Sequence, residues 1–136
     1  MKLVFLCVAN SARSQIAEGL ARSMLAPKDE IESAGSAPTT IHPIAVEVMA
    51  EIGIDTGGQA AKAIADLSFE GVDYVITLCA EEVCPVVPHT ATRLHWPIPD
   101  PAAVSGTPDS VREAFRATRE AIANRLREFQ RSLSTP

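Results

Sequence analysis

The stretch VDYVITLC, residues 72–79, constrains the fold of this chain more than any other part of it. β-Branched and aromatic residues fit a pleated, packed surface, and so apolar a run reads as a central strand. A second short apolar run, Lys2 to Leu6, also suits a buried strand. Strands of this kind belong to parallel sheets, whose crossovers are usually helices. The sequence supplies them. From about Ser14 to Leu25, the residues Ile16, Ala17, Leu20, Ala21 and Met24 share one helical face. Pro43 suits a first helical position, and Ala45, Val48, Met49 and Ile52 continue a helix that Gly53 stops. Thr107 can cap a last helix that begins at Pro108 and buries Val111, Phe115, Ile122, Leu126 and Phe129. Ile31 to Gly35 and Thr92 to Trp96 read as two further strands, the latter closed by Pro97, Pro99 and Pro101. The expectation is one α/β domain over residues 1–136, a four-stranded parallel sheet with helices on both faces. Such sheets bind ligands at the carboxyl ends of their strands, which is where Cys7 and Cys79 fall.

Composition narrows the partners. Hydrophobic residues make up 46% and charged residues 21%, the profile of a soluble globular chain. No apolar run approaches the ~20 residues that span a bilayer, and the N-terminus lacks the longer apolar region of a signal peptide. A cytoplasmic protein, a monomer, is expected, with no membrane partner. The net charge of -5 argues against nucleic acid, because phosphate-backbone binders normally show a basic face. It does not exclude a small anion, which a cluster of amide dipoles and one arginine can hold within an acidic protein. Three cysteines do not make a simple disulfide framework; in the cytosol such thiols are packing residues, catalytic, redox-active or metal-bound.

The segment CVANSARS, from Cys7 to Ser14, places a cysteine, five residues, an arginine and a serine between a strand and a helix. A loop entering a helix N-terminus aims several N–H groups at one point, and the helix dipole adds positive potential there. That field favours a thiolate, the nucleophilic form of cysteine. Arg13 can grip two oxygens of a tetrahedral oxyanion at once, and Ser14 can donate a hydrogen bond to the Cys7 sulfur. Asn10 tolerates a left-handed backbone. The competing view is that Cys7 only ends a core strand. The longer string CVANSARSQIAEG resembles the phosphate loop of the low-molecular-weight tyrosine phosphatases and of the arsenate reductases sharing their fold, with Gln15 and Glu18 in family-like places. Ala9 stands where many members carry glycine. The resemblance implies that Val8, Ala9, Asn10, Ser11, Ala12, Arg13 and Ser14 bind arsenate or phosphate.

LCAEEVCP adds Cys79 and Cys84, which a phosphatase does not need. A cysteine pair here marks the thioredoxin-coupled arsenate reductases, and the resemblance implies a relay. Cys7 attacks arsenate, Cys79 attacks Cys7 and releases arsenite, and Cys84 carries the disulfide outward to thioredoxin. Residues five apart on a helical turn do not face each other, so the segment between Cys79 and Cys84 is expected to rearrange. Cys79 could instead be a core residue at a strand end and Cys84 an incidental surface thiol, and three other readings stand beside the relay. The chain could be a phosphatase using Cys7, Arg13 and Asp100, a thiol protein trapping arsenite or another soft metal, or a zinc site drawing on His89 or His95. The last lacks a paired C-x-x-C knuckle and a clear fourth ligand. No resident metal or cofactor is expected.

Asp100 sits in an Asp-Pro dipeptide inside a proline-stiffened loop. Asp-Pro often initiates a turn. The resemblance implies a second role, the general acid that protonates a leaving oxygen. Ala102 and Ala103 follow where the phosphatases usually place aromatic rings, which favours a small inorganic substrate. At Lys62 some thioredoxin-coupled relatives carry an aspartate that binds potassium together with the loop asparagine and helix glutamate. Here the lysine ammonium is expected to occupy that place beside Asn10 and Glu18. His42, His89 and His95 read as satisfied polar residues.

Overall fold

A computed structural model describes residues 1–80 and 91–134. Four strands, β1 (Lys2–Cys7), β2 (Glu30–Gly35), β3 (Tyr74–Thr77) and β4 (Thr92–His95), form one parallel sheet in the order β2-β1-β3-β4. The α-helices are α1 (Arg13–Met24), α2 (Pro43–Ala50) and α3 (Pro108–Ser134). The single-domain α/β architecture expected from the alternation of patterns is the one formed.

Burial explains the layering. Side chains alternate across a strand, so β1 sends Leu3 and Phe5 to one face and Val4 and Leu6 to the other, all four fully buried. The first pair joins Ile16 and Leu20 of α1, Val48 and Met49 of α2, and Phe115, Ile122 and Leu126 of α3 in the main core. The second pair joins Ala34, Val72 and Val75 beneath the 3₁₀ turn Ile64–Asp66 and Leu67. Among the described residues all three α-helices therefore share one core, and the opposite face, where helices were also expected, is covered by the 3₁₀ turn Ile64–Asp66 with Leu67 and Phe69.

Local chemistry sets the ends. His42 caps α2 by accepting from the Ile44 amide at 3.1 Å, with Pro43 in the first turn. The helix stops at Ala50, two residues short of the expected Ile52, because its last turn tightens into Ile52 N–H to Met49 and Gly53 N–H to Ala50 bonds before Gly53 turns at φ +78°. Ile52 is left exposed. Thr107 caps α3 as expected, accepting from the Ser110 amide at 3.1 Å. β3 is shorter than the apolar run, although the ladder continues outside it, through Leu78 N–H to the Leu6 carbonyl at 3.0 Å. No helix among the described residues is long and apolar enough to cross a membrane.

Candidate active site

β1 delivers Cys7 to the carboxyl edge of the sheet, and residues 8–12 turn the chain into α1. Cys7 is 2% exposed. Its sulfur lies 2.8 Å from Ser14 Oγ and accepts from the Asn10 amide at 3.2 Å. Ser14 Oγ itself accepts from Asn10 Nδ2 at 2.7 Å, which leaves the serine proton to be donated toward sulfur. Both contacts suit a sulfur that carries negative charge. The N-cap of α1 is Ala12, which provides no side-chain cap, so the helix's leading amides are not spent on one.

Asn10 is the hub behind the sulfur. It is fully buried and, among the described non-glycine residues, alone in having a positive φ, 48°. Its Oδ1 accepts from the Lys62 amide at 2.8 Å and from Gln15 Nε2 at 3.1 Å. A main-chain N–H can only donate, which fixes the orientation of the Asn10 amide. Nδ2 therefore faces Ser14 and Ser33, donating to Ser33 Oγ at 3.0 Å. Ser33 donates in turn to Glu18 Oε1 at 2.6 Å. Glu18, 1% exposed, is a buried carboxylate whose charge is met by Arg22 Nε at 3.1 Å and Lys62 Nζ at 3.8 Å. Lys62 Nζ also pairs with Glu32 at 3.0 Å. Lys62 thus meets Asn10 through its main chain and Glu18 through its ammonium. Ser33, absent from the expected set, was hidden because a serine in a short strand carries no distinguishing pattern.

Arg13 is 4% exposed, and its Nη1 donates to the Leu78 carbonyl at 3.4 Å and the Ile98 carbonyl at 2.9 Å. It ties the end of β3 and the proline loop to the loop of residues 7–14. Asp100 lies two residues beyond Ile98. Its Oδ1 accepts from the Ala102 amide at 3.0 Å, capping the 3₁₀ turn Pro101–Ala103. The turn-initiating role is therefore present in the structure.

Cys79 is 1% exposed and, like Cys7, buried. Leu6 pairs with Thr77, so Cys7 is level with Leu78 on the adjacent strand and Cys79 follows one residue later. Parallel neighbours lie ~4.8 Å apart, which brings the two sulfur-bearing residues to one edge of the sheet. Cys84, His89 and the segment expected to rearrange fall within residues 81–90, outside the described residues. His95 Nδ1 pairs with Thr77 Oγ1 at 2.8 Å, and His42 is the cap of α2. Among the described residues no group of three or more His, Cys, Asp or Glu is placed to hold a metal ion.

A parallel sheet with a cysteine at the end of its first strand, and an arginine opening the following helix, defines the cysteine-loop phosphatase-like α/β proteins. The chain belongs to the low molecular weight phosphotyrosine protein phosphatase family, whose profile matches residues 2–135. It is 40% identical over 129 residues to an arsenate reductase of Bacillus subtilis, covering 93% of each chain. A solved structure described as an arsenate reductase in its phosphate-binding state superposes with a TM-score of 0.78 at 32% identity, over 94% of this chain and 95% of that one. A thioredoxin-dependent arsenate reductase from Corynebacterium glutamicum superposes with a TM-score of 0.71 at 30% identity, over 96% of this chain and 62% of that one.

Proposed function

We propose that this chain reduces arsenate to arsenite by a three-cysteine relay with thioredoxin as reductant. The observation that carries the reading is the pair Cys7 and Cys79, two buried cysteines at the carboxyl ends of adjacent strands. The arsenate reductases similar to this chain over nearly its whole length support the same substrate.

Arsenate settles in the loop of residues 8–14 with Arg13 bridging its oxygens, and the Cys7 thiolate bonds to arsenic. Asp100 protonates one arsenic-bound oxygen, which leaves as water. The Cys79 thiolate then attacks the Cys7 sulfur. The S–S bond forms, the S–As electron pair stays on arsenic, As(V) becomes As(III), and arsenite departs. Cys84 attacks Cys79, freeing Cys7 as a thiol and leaving a Cys79–Cys84 disulfide for a dithiol of thioredoxin to reduce. Each turnover moves two electrons, one disulfide's worth. The phosphatase reading needs only Cys7, Arg13 and Asp100; family membership favours it as a side reaction on phosphomonoesters.

In the supporting network, Lys62 supplies an internal cation to Glu18, standing in for potassium; the 3.8 Å ion pair supports this assignment.

The deciding assay is arsenate-dependent NADPH consumption with thioredoxin and its reductase, run beside hydrolysis of an aryl phosphate. Cys79→Ser is expected to abolish arsenate turnover and to spare any slow phosphatase activity. Normal arsenate cycling by that variant would eliminate the relay.

A further inference from the structure

The segment that follows β2 runs along the back of the anion loop and bonds it at regular intervals. Ala37 N–H donates to the Val8 carbonyl at 2.9 Å, Thr39 N–H to the Ala9 carbonyl at 3.0 Å, and His42 N–H to the Ser11 carbonyl at 3.0 Å. The intervening Asn10 carbonyl accepts from Gln15 Nε2 at 3.0 Å, and the Ala12 carbonyl accepts from Ile16 N–H at 2.9 Å within α1. All five successive carbonyls from Val8 to Ala12 are thus taken by donors.

A trans peptide holds its C=O and the following N–H in one plane and pointing in opposite directions, and the described chain has no cis bond. Drawing the Val8, Ala9 and Ser11 carbonyls back toward the ribbon therefore turns the Ala9, Asn10 and Ala12 N–H groups the other way, away from it. The peptide whose carbonyl Thr39 holds carries the Asn10 N–H, which donates to the Cys7 sulfur.

We propose that residues 35–42 are the positioning element of the oxyanion site: their main-chain amides, with Gln15, fix the inward aim of the loop's donors. Gly35 is the closing point of this ribbon. A Cβ there would stand 2.3 Å from the Val8 carbonyl oxygen and 2.9 Å from Asn10 N, both backbone atoms that cannot step aside singly. Its own amide donates to the Lys62 carbonyl at 2.9 Å, which joins the ribbon to the strand of chain holding Asn10 Oδ1. The inference rests on reading residues 7–14 as an oxyanion loop and adds what aims it.

The function of this ribbon lies in main-chain N–H groups, so the test removes one such group. Replacing the residue-39 amide by an ester, with the threonine side chain retained, deletes the donor to Ala9 and little else. A matched ester at residue 25 deletes an equivalent bond, Leu25 N–H to the Ala21 carbonyl at 2.9 Å, at the far end of α1. Inorganic phosphate binding to the reduced, full-length protein is measured by calorimetry, and stability by urea midpoint. Both esters are expected to lower the midpoint alike, since each loses one backbone bond. Only the residue-39 ester is expected to weaken phosphate, by about tenfold, the factor for one well-aimed hydrogen bond. Gly35→Ala is expected to weaken phosphate at least as much. Equal phosphate affinity in the two esters, with wild type binding normally, would overturn the positioning role alone. A wild-type protein that bound no phosphate would overturn the oxyanion reading and this inference with it.

Discussion

At the scale of single residues, the buried carboxylate of Glu18 is the group whose partners most need explaining. A charge removed from water must be matched, and Ser33, Arg22 and Lys62 share that work. Lys62 is tethered at both ends. Its amide holds Asn10 and its ammonium spans Glu18 and Glu32, so the positive charge cannot diffuse away as a free ion would. Arsenate turnover is accordingly expected to be the same in sodium and potassium salts at fixed sulfate and ionic strength. A large rise on changing sodium for potassium would show that a cation site remains open beside Glu18. Lys62→Ala should lower kcat/KM several-fold, since Glu18 then keeps a less complete set of partners while the main-chain amide that holds Asn10 is retained. Unchanged kinetics in that variant would make Lys62 a bystander.

Between elements, α2 and α3 are joined by apolar contacts below and ion pairs above. Val48 and Met49 meet Phe115 in the core, while on the surface Glu51 sits among arginines of α3. Arg116 Nη2 reaches Glu51 Oε2 at 2.7 Å, and Arg119 Nη1 reaches Oε1 at 2.8 Å. Hydrogen bonds first from Arg116 and then from Arg119 lower the Glu51 carboxyl from 4.5 to about 2. A folded value below the unfolded one stabilises the protein above the unfolded value, and the gain is lost as pH falls toward the folded one. The cluster's contribution is therefore complete above about pH 5 and drains away between roughly 4.5 and 2. Glu51→Gln should flatten the urea midpoint across that window and converge with wild type at its acid end. Parallel curves for the two proteins would mean that the cluster contributes no pH-dependent stability. The sequence announced these helices through apolar periodicity, a local signal, and the strands through runs of β-branched residues. It could not announce the ion cluster, because charges on an amphipathic helix read the same whether they face water or a neighbouring helix. The ribbon of residues 35–42 was equally silent. Its stretch SAPTTIH has no period, and its bonds come from main-chain groups that every sequence possesses.

Across the whole molecule, the candidate site was half legible for a related reason. Cys7, Arg13 and Ser14 form a contiguous string, and contiguity is what a sequence displays. What surrounds them comes from far along the chain: Arg13 bonds carbonyls 65 and 85 residues away, and Asn10 bonds Ser33 and Lys62. Only the folded sheet brings these together. It follows that the anion site and the global fold are one cooperative object, since no segment can leave without dismantling the loop. A ligand that binds only the folded chain stabilises it by mass action, about 2.7 kcal/mol at a hundred times its Kd. For a domain of this length that corresponds to roughly a 10 °C rise in Tm. Phosphate at that excess should produce such a shift in the reduced protein. Arg13→Ala, which removes the side chain proposed to grip the oxyanion, should show only the small general effect of the salt. If wild type and Arg13→Ala rose equally, the stabilisation would belong to the solvent and not to the loop, and the coupling of site to fold would be wrong. If calorimetry found phosphate bound while the wild-type Tm stayed fixed, the loop would have to survive in the unfolded chain. A site stitched from residues 65 and 85 positions apart forbids that.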